Sequence, residues 1–338
     1  MANRMSSMVS RLTSGVALLG VGVLGAAGCI RPSGSACPEQ VSDHSTAAAP
    51  ADAPLYTGFG DPYQGGPLEY DKIELEGCTR GNPVPLLIYA PTRPGAYATV
   101  VFQHGFMARN HDYDTILQHL ASHGFVVVAP QMYEPGLGAL LGHPTAQEEA
   151  DLALQVVDWL SDHPDLSAGV AARTDRMGLA GHSRGGKVAW IMLQTSPERF
   201  QAIAGVDPVD GTGGPLGNQT RVVQGTFPFA TPSLVIGTGL GGSCAPAGDN
   251  HVQFYAASRS PAWHIVVPDQ GHADMLDEDA AEAAAGICRS GTNREGMRRL
   301  TAGLLTAMFR AELQGDEASL DYLVDENAAP IAIEVEFH

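Results

Sequence analysis

Three residues in this chain have the types and setting for acyl transfer. Ser183 lies in Gly181-His182-Ser183-Arg184-Gly185-Gly186, directly after the apolar run Met177 to Ala180. A serine hydroxyl is a weak nucleophile at neutral pH and needs a base to take its proton. His272 can be that base: in "HIVVPDQGHADM" it stands one loop beyond another apolar run, beside Gly271. An acid must then hold the imidazole in one tautomer. Asp207 ends the apolar run of "AIAGVDPVDG" and is the expected acid, with Asp210 and Asp249 as the alternatives.

Acyl transfer also needs donors for the oxyanion of the tetrahedral intermediate. The backbone N–H of Arg184, next to the nucleophile, is one. The backbone N–H of Phe106, following His104-Gly105 in "VVFQHGFMARN", is the other. His104, His182, His251 and His264 are read as hydrogen-bonding or packed residues, and His251 is the one among them to test first. The sequence has no P-loop, no GxGxxG after a strand and no HExxH, so no cofactor and no metal are expected. The carboxylates of "HADMLDEDAAE" could suggest Ca²⁺, but they are read as a solvated helix start, where acids favour the positive end of the dipole.

A G-x-S-x-G pattern means little unless it lies on a strand-to-helix turn. Here the elements supply one. "PLLIYAP", "ATVVFQHG", "FVVVAPQ", "RMGLAG", "AIAGVD", "SLVIGTG" and "WHIVVPD" read as strands, most of them apolar on both faces. Between them, residues 114–123, 146–162, 187–195 and 294–313 carry apolar side chains at helical spacing. Apolar strands alternating with helices predict an α/β domain, a mostly parallel central sheet with helices on both faces. The order resembles the α/β-hydrolase fold, with Ser183 on its nucleophile elbow and Gly181, Gly185 and Gly186 giving the turn its room. In that fold the acid usually follows the strand read here as "SLVIGTG", where no carboxylate occurs before Asp249. Asp207 sits one strand earlier, a placement that lipases of the pancreatic type also use.

The chain has 338 residues and a formal net charge of −18. With no basic cluster it would repel nucleic acid, which is excluded as a partner. Arg4 and Arg11, an apolar stretch from Val16 to Ala27 and small residues up to Cys29 have the charge order of a secretory signal, too short for an ordinary membrane span. Ala26-Ala27-Gly28-Cys29 resembles a bacterial lipobox. Residues 1–28 are therefore expected to be a lipoprotein-type signal peptide, with Cys29 lipidated and anchoring an exported protein to a membrane of the cell envelope. A secreted or periplasmic protein is the expectation if Cys29 is not lipidated. Residues 29–54 are small, polar and Pro-rich, as suits a tether, and residues 55–338 form one catalytic domain. Cys37, Cys78, Cys244 and Cys288 remain for disulfides. Cys244 with Cys288 is favoured because the two flank the segment carrying the base, and Cys37 with Cys78 follows.

The motifs "VVFQHGF", "SHGFVVVAPQ", "GHSRGGK", "GVDPVDGTG", "VIGTGLG", "CAPAGDNHVQFY", "GHADMLDED" and "CRSGTNREGMRR" occur in the order seen in chlorophyllases. From about residue 68 to the final "IEVEF", the chain resembles that family. The resemblance implies hydrolysis of the ester joining phytol to chlorophyll without a metal or cofactor. It also implies nucleophile, acid and base at Ser183, Asp207 and His272, the same three reached above. A general envelope lipase or carboxylesterase, or a cutinase-like polyester hydrolase, is the alternative. A non-catalytic pigment- or lipid-binding lipoprotein is a third reading. The stretch "MYEPGLGALLGHP" places Met132, Leu137, Leu140 and Leu141 where a lid or a wall for a long hydrophobic alcohol would lie.

Overall fold

Runs of β-branched residues buried on both sides set the centre of the molecule. The computed structural model describes residues 60–167, 169–211 and 220–338, apart from the side chains of Leu140 and Leu141. The expected signal peptide, the tether, Cys29 and Cys37 lie outside the described residues, as does the very start of the expected domain. The strands are β1 (Tyr70–Leu75), β2 (Leu86–Pro91), β3 (Gly95–Gln103), β4 (Phe125–Pro130), β5 (Asp165–Ser167), β6 (Val170–His182), β7 (Ala202–Val206), β8 (Ser233–Thr238), β9 (Ala262–Val267) and β10 (Glu334–Phe337). The helices are α1 (Asp114–Ser122), α2 (Leu137–Leu141), α3 (Ala146–Asp162), α4 (Arg184–Thr195), α5 (His251–Ala257), α6 (Glu278–Ala284) and α7 (Arg294–Phe309).

The sheet runs β1-β2-β4-β3-β6-β7-β8-β9-β10, with β5 paired to β6 off this path. From β4 through β9 along the path the pairs are parallel, whereas the outer pairs β1–β2, β2–β4 and β9–β10, and the short β5 against β6, are antiparallel. Side chains alternate across the sheet. In β3, Val100 and Phe102 join α1 and α7 in one core, whereas Val101 joins α3 and α4 in the other. This is the single α/β-hydrolase-type domain that the alternation predicts, with helices on both faces.

Chain order reverses beside β3, because β4 lies on one side of it and β6 on the other. Such a reversal opens a crevice at the carboxyl ends of the strands, where ligands bind in open α/β sheets. The loops after β3 and β6 therefore face one another across it.

The differences from the sequence reading have local causes. The exposed edge strands β1 and β10 carry charges in place of an apolar run and were not expected. β6 begins at Val170, earlier than the apolar run at Met177, because Val170 and Ala171 pair with β5 on one side and with the start of β3 on the other. The last long helix leaves α geometry at Phe309 and continues as a π-type turn over Arg310–Gln314. Cys244 and Cys288 form a disulfide closing 44 residues of chain, worth roughly 3–4 kcal/mol against the unfolded state in the chain-entropy account.

Candidate active site

Ser183 links β6 to α4 with φ +56°, a conformation that L-residues rarely adopt. The turn closes only because its neighbours lack side chains. A Cβ at Gly185 would run into the carbonyls of Gln103 and His104 at the end of β3, and one at Gly181 would strike the backbone of Gly185. At Gly186 it would stand 2.7 Å from the Pro208 ring. The Ser183 N–H donates to the Val206 carbonyl (3.0 Å), and the Ser183 carbonyl accepts from Gly186 (3.0 Å) and Val209 (3.1 Å). The elbow is thereby sewn to the end of β7.

Asp207 stands at that end, fully buried, with its own φ of +42°. His272 lies on the loop after β9. Its Nδ1–H donates to Asp207 Oδ2 at 2.6 Å, and its Nε2 is 2.8 Å from Ser183 Oγ, placed to accept the hydroxyl proton. The structure thus brings together the three residues that the sequence singles out. Burial alone would raise the Asp207 carboxyl. The hydrogen bond and charge of His272, then His251 and Thr238, outweigh it and hold Asp207 below the usual carboxylate range. Thr238, at the end of β8, donates its N–H to Asp207 Oδ1 (3.1 Å) and its hydroxyl to Oδ2 (2.8 Å). It stands where the acid more often sits, and orients an acid delivered from the strand before.

The alternative acids are engaged elsewhere. Asp210 pairs with buried Lys187 at 3.1 Å and accepts the N–H groups of Val222 and Val223. Asp249 pairs with Arg221.

The loop after β3 has little slack. Gly105 N–H donates to Tyr113 Oη (3.0 Å), Met107 N–H to Tyr133 Oη (3.2 Å) and Ala108 N–H to the Gly105 carbonyl (3.2 Å). Between them lies Phe106, the expected second oxyanion donor, with its ring 41% exposed. His104 is buried, its Nδ1–H donating to the Gly105 carbonyl (2.8 Å) and its Nε2 accepting from Met132 N–H (3.1 Å). Burial lowers its pKa to about 4. Both of its nitrogens brace the loop.

Arg184 reaches away from the elbow to bind the start of α3. Its Nε donates to Glu149 (2.7 Å) and another guanidinium nitrogen donates to the Pro144 carbonyl (2.6 Å). Burial, only partly offset by Arg184, raises the Glu149 carboxyl to about 7. Thr145 caps α3 reciprocally with Glu148, so the helix begins where Glu149 meets Arg184.

The expected lid is therefore tied to the nucleophile helix. It contains a short helix, α2, where a loop was expected. Leu137 is 73% exposed at its start. Met132 instead is 3% exposed and packs in the core, so it offers no open wall to a substrate. The side chains of Leu140 and Leu141 lie outside the described residues.

The base loop has its own anchor, which sequence reading missed. Asp274 accepts the N–H groups of Gly271 and Gly291 (both 2.6 Å) and the Ser290 hydroxyl. It fastens the residue before the base to the segment after Cys288. The neighbouring acids behave as a helix start: Asp277 is the N-cap of α6, and Glu278 pairs with Arg294 and Arg298. His251 and His264 share a hydrogen bond of 2.7 Å behind Gly237, and His264 reaches Glu336 at 3.2 Å. His251 starts α5 and His264 lies in β9, both off the proton path between Asp207 and Ser183. A cavity of about 630 Å³ between α3, α4 and residues 220–228 is lined by residues such as Ile191 and Phe227, and by no member of the triad.

Comparison with known proteins gives one consistent answer. The family model "Chlorophyllase" matches residues 59–338. The chain is 34% identical over 291 residues to chlorophyllase-2 of Arabidopsis thaliana, covering 78% of this chain and 89% of that protein. It is 32% identical over 316 residues to chlorophyllase-1 of Arabidopsis thaliana (85% and 96%), and 34% identical over 283 residues to a chloroplastic chlorophyllase-1 of Citrus unshiu (78% and 84%).

Proposed function

Because the chain belongs to the chlorophyllase family of carboxylic ester hydrolases, we propose that it cleaves the phytyl ester of chlorophyll by a serine mechanism, giving chlorophyllide and phytol. One observation carries the reading: the unbroken run of short contacts from Asp207 through His272 to Ser183, at 2.6 and 2.8 Å.

In this reading His272 Nε2 takes the Ser183 proton as Oγ attacks the ester carbonyl, and Asp207 stabilises the imidazolium that results. The carbonyl oxygen becomes an oxyanion facing the N–H groups of Phe106 and Arg184. His272 then returns the proton to the departing phytyl oxygen, leaving an acyl-enzyme. Water, deprotonated by the same imidazole, attacks the acyl carbon; collapse releases the carboxylic acid and restores the serine. The residues need no bound group for these steps. The exposed faces of Phe106 and Leu137 suit a long apolar alcohol at the mouth.

The export features of the first 29 residues support a protein anchored through Cys29 to a membrane of the cell envelope, where water-insoluble esters collect. The test is parallel turnover of chlorophyll a, p-nitrophenyl butyrate and a long-chain glyceride by the purified protein, with Ser183→Ala as control. Release of chlorophyllide that disappears in Ser183→Ala is expected. Turnover of the other two esters without chlorophyll would make the protein a general esterase. Folded protein inert to all three and to a fluorophosphonate would overturn the serine mechanism.

A further inference from the structure

His182, next to the nucleophile in sequence, takes no part in the proton transfers above, yet it is buried and both of its ring nitrogens are engaged. Its Nε2 lies 2.8 Å from the backbone carbonyl of His272. A carbonyl only accepts, so Nε2 carries the hydrogen. Nδ1 of the neutral ring is then an acceptor, and Tyr113 Oη–H donates to it at 2.8 Å. Tyr113 Oη in turn accepts the Gly105 N–H at 3.0 Å. The order of donors is thus fixed at every link: Gly105 N–H to Tyr113, Tyr113 O–H to His182, His182 N–H to the His272 carbonyl.

Nothing in this chain touches a substrate, but its two ends are the working loops. One end is the residue before Phe106, whose N–H is the expected oxyanion donor, and the other is the backbone of the base itself. The middle is the last residue of β6. Gly105 leaves the relay its room: a Cβ there would stand 3.0 Å from His182 Nδ1 and 3.2 Å from Tyr113 Oη. The His182 and His272 rings lie 4.7 Å apart between centroids. Burial and then the neighbouring His272 lower the His182 pKa to about 3, so the ring stays neutral and the order of donors does not reverse at any working pH.

We infer that Tyr113 and His182 are positioning residues that fasten the oxyanion loop to the base loop, so that His272 and the Phe106 N–H keep one spacing while charge passes between them. The inference rests on the proposed serine mechanism and adds to it a coupling between two loops that share no covalent neighbourhood.

The test uses the full chain and the steady-state hydrolysis of p-nitrophenyl butyrate by Tyr113→Phe, His182→Phe, the double variant and His182→Gln. Losing a whole oxyanion donor costs about 10²–10³ in kcat, and a displaced one should cost part of that. Each Phe variant should therefore lose at least about tenfold in kcat, with KM within about twofold and an unchanged melting temperature. If the two residues form one device, the double variant should lose no more than the worse single. His182→Gln keeps an N–H at the reach of Nε2 and should recover part of the loss.

Single variants with unaltered kcat would overturn the inference, as would losses that multiply in the double variant or that only track a fallen melting temperature. Should His182→Phe not fold, Tyr113→Phe and His182→Gln decide by the same criteria. Ser183→Ala separates the two levels: if it stays active, the serine mechanism itself fails; if it is dead while the relay variants match wild type, only the coupling fails.

Discussion

The elbow and the mouth of this site are built on opposite principles. Around Ser183, Asp207 and His272, side chains are buried, hydrogen bonds are short, and glycines stand where even a methyl group has no space. Outward of it, Phe106 and Leu137 are exposed, and Phe106 is held by ring contacts with His143 and Tyr133 in place of short hydrogen bonds to its side chain. Chemistry at a carbonyl tolerates little displacement of the reacting groups. Recognition of a long apolar alcohol rests on area, which many arrangements supply. Damage to the elbow should therefore fall equally on every ester, and damage to the mouth should fall on some esters and spare others.

The largest effects test the elbow. Ser183→Ala should remove at least about 10⁴ of kcat on both short and long esters, and Asp207→Asn about as much, because the amide favours the wrong imidazole tautomer. Comparing kcat for p-nitrophenyl butyrate and chlorophyll a checks the equality, and a variant that lost only one substrate would break the comparison. Gly185→Ala comes next: its methyl group would be driven into the Gln103 and His104 carbonyls. It should cost both activity and about 2 kcal/mol or more of stability, read as a lowered melting temperature alongside kcat.

The contrast also explains what could be read from the sequence. The elbow was legible because its demands fall on residue types at short spacing: glycines around a serine, after an apolar run and before a helix. The central strands were legible because burial on both faces writes a continuous apolar run. β1 and β10 were not, since one face of an edge strand meets water and its sequence is that of a polar loop. Asp207 could be placed at a strand end, but not chosen over Asp210 by spacing alone. What separates them is Lys187, one helical turn past the serine, which occupies Asp210. Tyr113, Thr238 and Glu149 carry no local signature at all, because each acts on the site through a contact made only when distant elements pack, and Asp274 adds to its local bond with Gly271 the contacts with Ser290 and Gly291 that only the fold supplies. The lid residues show the converse: an apolar cluster in a loop reads as one wall, yet Met132 is core and Leu137 is surface.

At the mouth the expected effects are smaller and selective. Leu137→Ser removes an exposed apolar side chain worth about 1–2 kcal/mol if a substrate chain covers it. It should lower kcat/KM for chlorophyll or a long-chain ester by about tenfold and leave p-nitrophenyl butyrate within about twofold. The ratio of the two is the measurement. An equal fall on both would mean that α2 acts on the elbow, and the division between the two regions would have to be redrawn.

Glu149 joins the regions, and its effect should be the smallest and the most specific. Through Arg184 it connects the nucleophile helix to Pro144 and the start of α3. Burial raises its carboxyl from an ordinary 4.5 to about 7. Between those two values the folded protein holds a proton that the unfolded chain has released. This group's contribution to stability is therefore full below about pH 4.5, declines as the pH rises through 7 and levels off above about 8. Glu149→Gln has nothing to titrate. The melting temperature of wild type should fall relative to that of the variant by a few degrees between pH 5 and pH 8, whatever constant offset the substitution brings. Parallel curves would show Glu149 ionised throughout, its burial balanced by Arg184, and the elbow and mouth would then be joined by a fixed ion pair with no sensitivity to pH.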